Sequence, residues 1–213
     1  MKLNTLFLTA SLGLAAVAGA QAAIIFDSLA PYGGASVPLQ YSVFIGHSFQ
    51  TDAQAYTFTG VTLRMGGADT PGGNFFVRLY DATGAGSVPG VMLVPLTGST
   101  DPALAGDYAY TGSQTLSANT VYWVVAGVSG GPGVYEWWMN ASGPPAPGTA
   151  IGVAGSFDQG ASWLGPEPML LDMQVNADVN AVPEPGQWAM MAVTALGIAG
   201  YAARRVRAKA NLV

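Results

Sequence analysis

The residues Phe75-Phe76-Val77-Arg78-Leu79-Tyr80 carry the clearest structural signal in this 213-residue chain. Apolar Phe75, Val77 and Leu79 occupy every second position, which is the period of a β-strand that buries one face. Two more runs, residues 121–126 and 169–176, show the same alternation. The chain is therefore expected to form sheets whose strands have a core side and an outer side.

Other segments have the length and composition of short strands, and turn-forming residues separate them. Separators such as Gly66-Gly67-Ala68-Asp69 and Gly130-Gly131-Pro132-Gly133 are typical of connections between strands. The further candidate strands are residues 41–49, 55–65, 91–96, 106–111, 133–140 and 150–157. Because no helical periodicity of useful length occurs between positions 23 and 182, we predict an all-β fold, an antiparallel β-sandwich that is jelly-roll-like. The order of the strands does not follow from the sequence.

The first residues have the plan of a secretory signal peptide. Met1-Lys2 supplies a short positive region, residues 6–18 an apolar region, and Ala20-Gln21-Ala22 a small-x-small cleavage site. We predict that residues 1–22 are removed by signal peptidase and that the mature chain starts at Ala23. A retained N-terminal membrane helix is the alternative.

The last residues predict a membrane anchor. The apolar run 188–203 would form a helix of roughly 24 Å, a little shorter than the ~30 Å hydrocarbon core. Basic side chains follow it directly and favour a cytoplasmic C-terminus; they are Arg204, Arg205, Arg207 and Lys209. We therefore predict a linker at 178–187, a single transmembrane helix at 188–203 and a basic cytoplasmic tail at 204–213. A buried core helix is the alternative.

The linker contains Val182-Pro183-Glu184-Pro185, and its prolines should keep this segment extended and exposed. Together with the apolar helix and Arg204-Arg205, these residues resemble the PEP-CTERM sorting signal of Gram-negative bacteria over about residues 181–209. The resemblance implies export across the inner membrane, transient anchoring, and cleavage at Pro183, Glu184 and Pro185 by an exosortase-type membrane enzyme. It also implies release or transfer to the cell surface, commonly alongside exopolysaccharide production.

Between these ends, residues 23–177 have the size of one extracellular domain. From Ala23 to Val182 the sequence has two arginines against eleven acidic residues, a net charge of −9. Such a body would be repelled by nucleic acid and by anionic membrane surfaces. Since the chain has no cysteine, disulfides and thiolate chemistry are excluded as well.

The body also resembles the choice-of-anchor R domain, an extracellular module found upstream of differing anchoring signals. The motifs that carry the resemblance lie at residues 48–51, 58–63, 77–81, 116–125 and 156–163. The resemblance implies a surface domain with interchangeable attachment, and it implies no activity.

Residues 135–138, Tyr135-Glu136-Trp137-Trp138, form an aromatic cluster in a candidate strand. Adjacent residues of a strand face opposite sides, so one tryptophan should point outward or to a rim. An exposed indole beside a carboxylate can stack on a sugar ring while Glu136 accepts hydrogen bonds from its hydroxyl groups. These four residues are the candidate sugar-binding site, and burial of both tryptophans is the alternative.

Residues 156–163 match the Asp-box pattern Ser-x-Asp-x-Gly-x-x-Trp, with Ser156, Asp158, Gly160 and Trp163 at its defining positions. We expect a turn in which Asp158 caps the backbone, Gly160 takes a positive φ and Trp163 packs beneath. Sialidases use several such boxes and a cluster of arginines, which this body lacks. The box is therefore interpreted as a turn rather than a site.

Two further features concern metals and catalysis. Acidic residues in or beside turns could bind calcium; the candidates are Asp69, Asp81, Asp101 and Asp107, with ordinary solvated acids as the alternative. His47 is the one histidine, and its strand-like surroundings favour a structural role over that of a base. A histidine-based triad or metal centre would need partners that the sequence lacks.

The sequence thus predicts an exported, surface-sorted, non-enzymatic protein that is a structural or adhesive component of the extracellular polysaccharide matrix. A carbohydrate-binding module is the first alternative, and a glycan-active hydrolase using two carboxylates is the second. No cofactor is expected apart from calcium.

Overall fold

A computed structural model describes residues 21–29, 34–140 and 149–180 of the chain. Within these residues the protein is all-β, without a helix, and every pair of neighbouring strands is antiparallel. The strands are β1 (Gln21–Asp27), β2 (Ser36–Gln40), β3 (Phe44–Gln50), β4 (Tyr56–Thr70), β5 (Phe75–Asp81), β6 (Met92–Pro95), β7 (Ala105–Leu116), β8 (Val121–Val128), β9 (Val134–Trp138), β10 (Val153–Ser156), β11 (Leu164–Glu167) and β12 (Met173–Val179).

The nine predicted strands are all present, but β1, β2 and β11 were missed. β1 starts inside the predicted signal peptide, and β11 is only four residues long and contains Gly165 and Pro166. β2 contains Pro38, a residue that sequence reasoning excludes from most strand interiors. The predicted strand at 169–176 also begins later than expected, at Met173.

The prediction that residues 66–69 separate two strands was wrong, because β4 continues through them. The register of β4 against β9 shifts between Met65 and Gly67, and Gly67 has a φ of 105°. The glycines thus form a bulge inside one long strand rather than a turn between two. This bulge lets the second half of β4 pair with β9 after its first half has paired with β12.

The strands form two sheets. The first sheet has the order β1-β12-β4-β9-β2, and β7 also pairs with β4; the second has the order β11-β10-β3-β8-β5-β6. The pairs are nested along the chain: β1 with β12, β2 with β9, β3 with β8, β4 with β7 and β5 with β6. A long antiparallel ribbon, whose two arms come from the two halves of the chain, is therefore distributed over both sheets.

One hydrophobic core is built from both sheets. Its fully buried side chains include Phe58 and Val175 from the first sheet and Leu79 and Val124 from the second. Each buried side chain of this kind stabilises the fold by about 1.5–3 kcal/mol. The alternating inner residues of β4, β5 and β12 thus contribute to the core of both sheets.

A second, smaller cluster lies on the outer side of the second sheet. It contains Trp123 and Val125, which alternate with the inner residues of β8 and are nevertheless fully buried. Val88 of the β5–β6 connection packs on them, and the indole Nε1 of Trp123 donates to the carbonyl of Ser87 at 2.9 Å. The expectation that this strand is buried on one face only was therefore wrong.

Candidate functional site

The four candidate sugar-binding residues divide between the two faces of β9. Tyr135 and Trp137 are fully buried. The Trp137 indole donates to the carbonyl of Asp172 at 2.9 Å, and the Tyr135 hydroxyl donates to Asp101 at 2.7 Å. These two residues belong to the core and cannot reach a sugar, so that part of the prediction was wrong.

Glu136 and Trp138 point to the outer face of the first sheet and are half-buried. The hydroxyl of Ser36, on neighbouring β2, donates to Oε2 of Glu136 at 2.9 Å. Gly66 of β4 lies beneath both side chains: a Cβ at this position would lie 2.8 Å from Trp138 Nε1 and 3.1 Å from Glu136 Oε2. We call Ser36, Gly66, Glu136 and Trp138 the Trp138 platform.

The structure explains why a glycine occupies position 66. A larger residue at position 66 would push the indole and the carboxylate away from the sheet. Because glycine has no side chain, both groups lie against the backbone of β4 beside the bulge. Beside the platform, Arg64 forms a bidentate ion pair with Asp107, with N–O distances of 2.7 and 2.9 Å. Chemically, the platform combines an apolar ring, a carboxylate that accepts hydrogen bonds, and a neighbouring cation that is already neutralised.

The four candidate calcium ligands do not converge. Among the described residues, no group of three or more His, Cys, Asp or Glu side chains could hold a metal ion. Asp107 is paired with Arg64, Asp101 accepts from Tyr135, and Asp69 lies exposed near the end of β4. The four candidate acids therefore do not form one cluster around a cation.

Asp81, the fourth candidate, holds its own connection in place. Its Oδ1 accepts hydrogen bonds from the Thr83 amide and hydroxyl, at 3.1 and 2.6 Å, and from the Val91 amide at 2.8 Å. Burial opposes ionisation, but these hydrogen bonds outweigh it and lower the pKa of Asp81. The carboxylate closes the β5–β6 connection that covers Trp123.

The Asp-box residues form a turn after β10. Asp158 Oδ1 accepts from the Ser162 amide at 2.9 Å and from the Ser156 hydroxyl at 2.8 Å, and Gly160 has a φ of 88°. Hydrogen bonds from Ser162, then from Ser156, lower the pKa of Asp158 to about 2. Trp163 packs on the second cluster, with its ring 6.5 Å from that of Tyr80.

His47 is fully buried between the two sheets. Neither ring nitrogen has a hydrogen-bond partner among the described residues, and burial lowers the pKa of the imidazole to about 3. A neutral side chain without access to solvent cannot exchange protons with a substrate at the surface. Its geometry is that of a core residue.

Sequence reasoning missed an aromatic surface on the second sheet. The outward residues of β5 are Phe76, Arg78 and Tyr80, and Trp163 lies against Tyr80. We call these four residues the β5 strip. The alternation in β5 can be seen in the sequence. The strip could have been identified from the outward positions of this strand, which place an aromatic residue on each side of an arginine.

An open cavity of about 280 Å³ lies where β1, β3 and β4 come together. It is lined by Ala23, Ile24, Ile25, Gln50, Thr51, Asp52, Tyr56 and Thr149. The Tyr56 hydroxyl donates to the Asp52 carboxylate at 3.0 Å, so the acid at the cavity is already hydrogen-bonded. Burial and the neighbouring carboxylate raise the pKa of Tyr56.

The sorting features lie outside the described residues. This applies to most of the signal peptide, to Pro183, Glu184 and Pro185, to the apolar run 188–203 and to the basic tail. In the described part of the chain, no helix has the length and hydrophobicity needed to cross a membrane. These predictions remain predictions.

Comparison with known proteins adds no assignment: no family model matches the chain, and neither curated proteins nor solved structures give a significant match.

Proposed function

We propose that the protein is exported, sorted to the cell surface and retained in the extracellular matrix, where its body binds polysaccharide without catalysing a reaction. The outward-facing Trp138 platform carries this proposal. It places an indole beside a carboxylate on the outer side of a sheet, and this pair of groups is one that sugar binding combines.

We further propose that the two sheets form an antiparallel β-sandwich of the jelly-roll type. The nested pairing of strands supports this, since a jelly roll is an antiparallel ribbon rolled into two facing sheets. The shared core supports the facing arrangement. Such a scaffold presents two outer faces, and the platform lies on one of them.

Sorting is proposed from the terminal segments. The signal peptide, the membrane helix and the exosortase motif are inferred from sequence, and the register of the body is compatible with them. Ala23 of β1, the predicted first residue of the mature chain, pairs with Ala177 of β12, so the start of the mature chain lies beside the last described strand. The mass of the mature protein from cells with and without an exosortase tests the proposal; an intact C-terminus in processing-competent cells contradicts it.

Polysaccharide binding is tested with the full chain in detergent, by retention on immobilised matrix polysaccharide. Trp138→Ala should weaken binding by about tenfold, equivalent to about 1.4 kcal/mol, because the stacking surface is lost. Tyr41→Ala is the matched control, since Tyr41 is an aromatic residue with 53% exposure outside the platform. Equal losses in both variants, or no retention of the unaltered chain, would contradict the proposal.

The alternatives give different results. A purely structural matrix protein would be abundant in the biofilm fraction, and its deletion would disturb the matrix, although the protein would bind no glycan. A glycoside hydrolase would degrade the polysaccharide and lose this turnover when two particular carboxylates are replaced.

A further inference from the structure

The β5 strip is a continuous surface on the outer side of the second sheet. Its four side chains, Phe76, Arg78, Tyr80 and Trp163, are all half-buried. The guanidinium of Arg78 lies 3.9 Å from the centroid of the Phe76 ring. Such stacking holds a planar cation in one orientation and leaves the edge of its fork available for hydrogen bonding.

In the described part of the chain, Arg78 has no acidic partner. Arg64 and Arg78 are the two basic residues between Ala23 and Val182, and Arg64 is paired with Asp107. Among the described residues, no carboxylate oxygen lies within ion-pair distance of Arg78. Its neighbours across the two adjacent strands are Val125 and Pro95, which cannot neutralise a charge.

Nearby acids are engaged elsewhere. Asp81, next to Tyr80, accepts three hydrogen bonds within its own connection, and Asp158 accepts hydrogen bonds from Ser156 and Ser162 in the Asp-box turn. The strip therefore contains a half-buried, unneutralised cation in a body with a net charge of −9. A cation without a partner in partly apolar surroundings is stabilised more by pairing with an anion than a fully solvated cation is.

Covering the second cluster accounts for the rings but not for the arginine. Phe76, Tyr80 and Trp163 pack against that cluster and shield Phe44 and its neighbours from water. A neutral polar side chain at position 78 would flank the same rings without placing a cation on the Phe76 ring. The guanidinium, stacked and without an acid, is the feature that needs another explanation.

We infer that the β5 strip is a second glycan site, which takes a sugar unit carrying a carboxylate. The carboxylate pairs with the Arg78 fork, and the apolar face of the sugar packs on Tyr80 or Trp163. Because the body is strongly acidic, a polysaccharide with carboxylates spaced by neutral units fits better than a polyanion charged at every unit. This inference rests on the proposed function, because it takes the partner to be a polysaccharide.

The test is a binding titration of the full chain with two probes. Hyaluronan fragments carry one uronate in every second unit, and dextran fragments carry no charge. Arg78→Gln should weaken hyaluronan binding by about tenfold, the loss of a charge-assisted pair. Lys209→Gln changes the net charge equally and is the matched control; it should weaken binding by less than about twofold, because Lys209 lies outside the body in the sequence.

Further variants separate charge from geometry. Arg78→Lys keeps the charge but loses the planar fork, so it should bind with intermediate affinity. Thermal unfolding of each variant checks that the fold is unchanged. Equal effects of Arg78→Gln and Lys209→Gln, or no hyaluronan binding by the unaltered chain, overturn the inference. Hyaluronan binding that depends on Trp138 but not on Arg78 would overturn this site and leave the proposed function intact.

Discussion

His47 lies edge-on to Phe26, with 5.4 Å between the ring centroids and 77° between the ring planes. The two residues come from different sheets, since Phe26 belongs to β1 and His47 to β3. The imidazole therefore occupies the core as a neutral ring. Protonation would place an uncompensated charge among aromatic side chains.

Stability should consequently fall at acidic pH. Burial lowers the pKa of His47 to about 3, so the unfolded chain binds a proton below about pH 6.5 while the folded chain does not. The contribution of His47 to the free energy of unfolding is constant above that pH. Between about pH 6.5 and the folded pKa of about 3, this contribution decreases by about 1.4 kcal/mol for each pH unit.

Urea unfolding of the unaltered protein and of His47→Leu, from neutral pH down to about pH 4.5, measures this effect. Carboxylates such as Asp81 and Asp158 contribute to the pH dependence of stability in both proteins. The difference between the two curves of unfolding free energy against pH therefore isolates the contribution of His47. Parallel curves would contradict the prediction.

Two buried tyrosines should respond differently to removal of the hydroxyl. The Tyr135 hydroxyl donates to Asp101 and accepts from the Gly73 amide at 3.0 Å. Tyr135→Phe should lower the free energy of unfolding by about 1–3 kcal/mol, because it leaves a buried amide unsatisfied.

The matched control is Tyr110→Phe. The Tyr110 hydroxyl is buried without a hydrogen-bond partner among the described residues, so its loss should be neutral or stabilising. Chemical denaturation compares the two variants. A cost at Tyr110 as large as that at Tyr135 would be inconsistent with these contacts.

Gly152 should be the less replaceable of two glycines with positive φ. Its φ is 137°, and a Cβ at this position would collide with the carbonyl oxygen of Glu167 in the paired β11. Gly72 has a φ of 96° but open space around it. Gly72→Ala should cost about 1–2 kcal/mol from backbone strain.

Gly152→Ala should lower the free energy of unfolding by more than Gly72→Ala, because the backbone at Glu167 must also move. The melting temperatures of the two variants give the comparison. Similar melting temperatures would show that the approach of β11 to Gly152 is looser than described.

The pairing of the first and last strands can be tested with a cross-strand disulfide. Ile24 pairs with Asn176 on the outer face of the first sheet. Paired Cα atoms of antiparallel strands lie about 4.5–5.5 Å apart, within the range for a disulfide. Since the chain contains no cysteine, Ile24→Cys with Asn176→Cys should form one disulfide when the purified protein is oxidised.

Its control is Ile24→Cys with Gln174→Cys, because Gln174 pairs with Asp27 instead. These positions lie about 7–8 Å apart, too far for a bridge. Thiol labelling of the purified protein distinguishes the pairs. Free thiols in the first pair would contradict the register of β1 against β12.

The turn residues show where sequence reasoning works and where it fails. Gly160 takes the positive φ expected in the Asp box, because a short motif specifies a local conformation. The glycines at 66 and 67 look like an equally good turn, yet β4 continues through them. A bulge and a turn have the same local composition, and the pairing with β9 distinguishes them.

The candidate site shows the same limit. Alternation along β9 requires Trp137 and Trp138 to face opposite sides, but it does not say which side is the core. Met65 pairs with Trp137, and this register turns Trp137 inward and Trp138 outward. A shift by one residue would exchange them.

The amino-acid pattern was sufficient to predict that the described part of the chain is all-β and to predict nine of its strands, because these depend on the two-residue period of each strand. Strand partners depend on contacts between distant segments, such as β1 with β12, for which no local signal exists. Tertiary packing therefore settled the order of the strands, the side on which each tryptophan lies, the separation of the four acids and the isolation of Arg78. Each of these follows from which strands become neighbours.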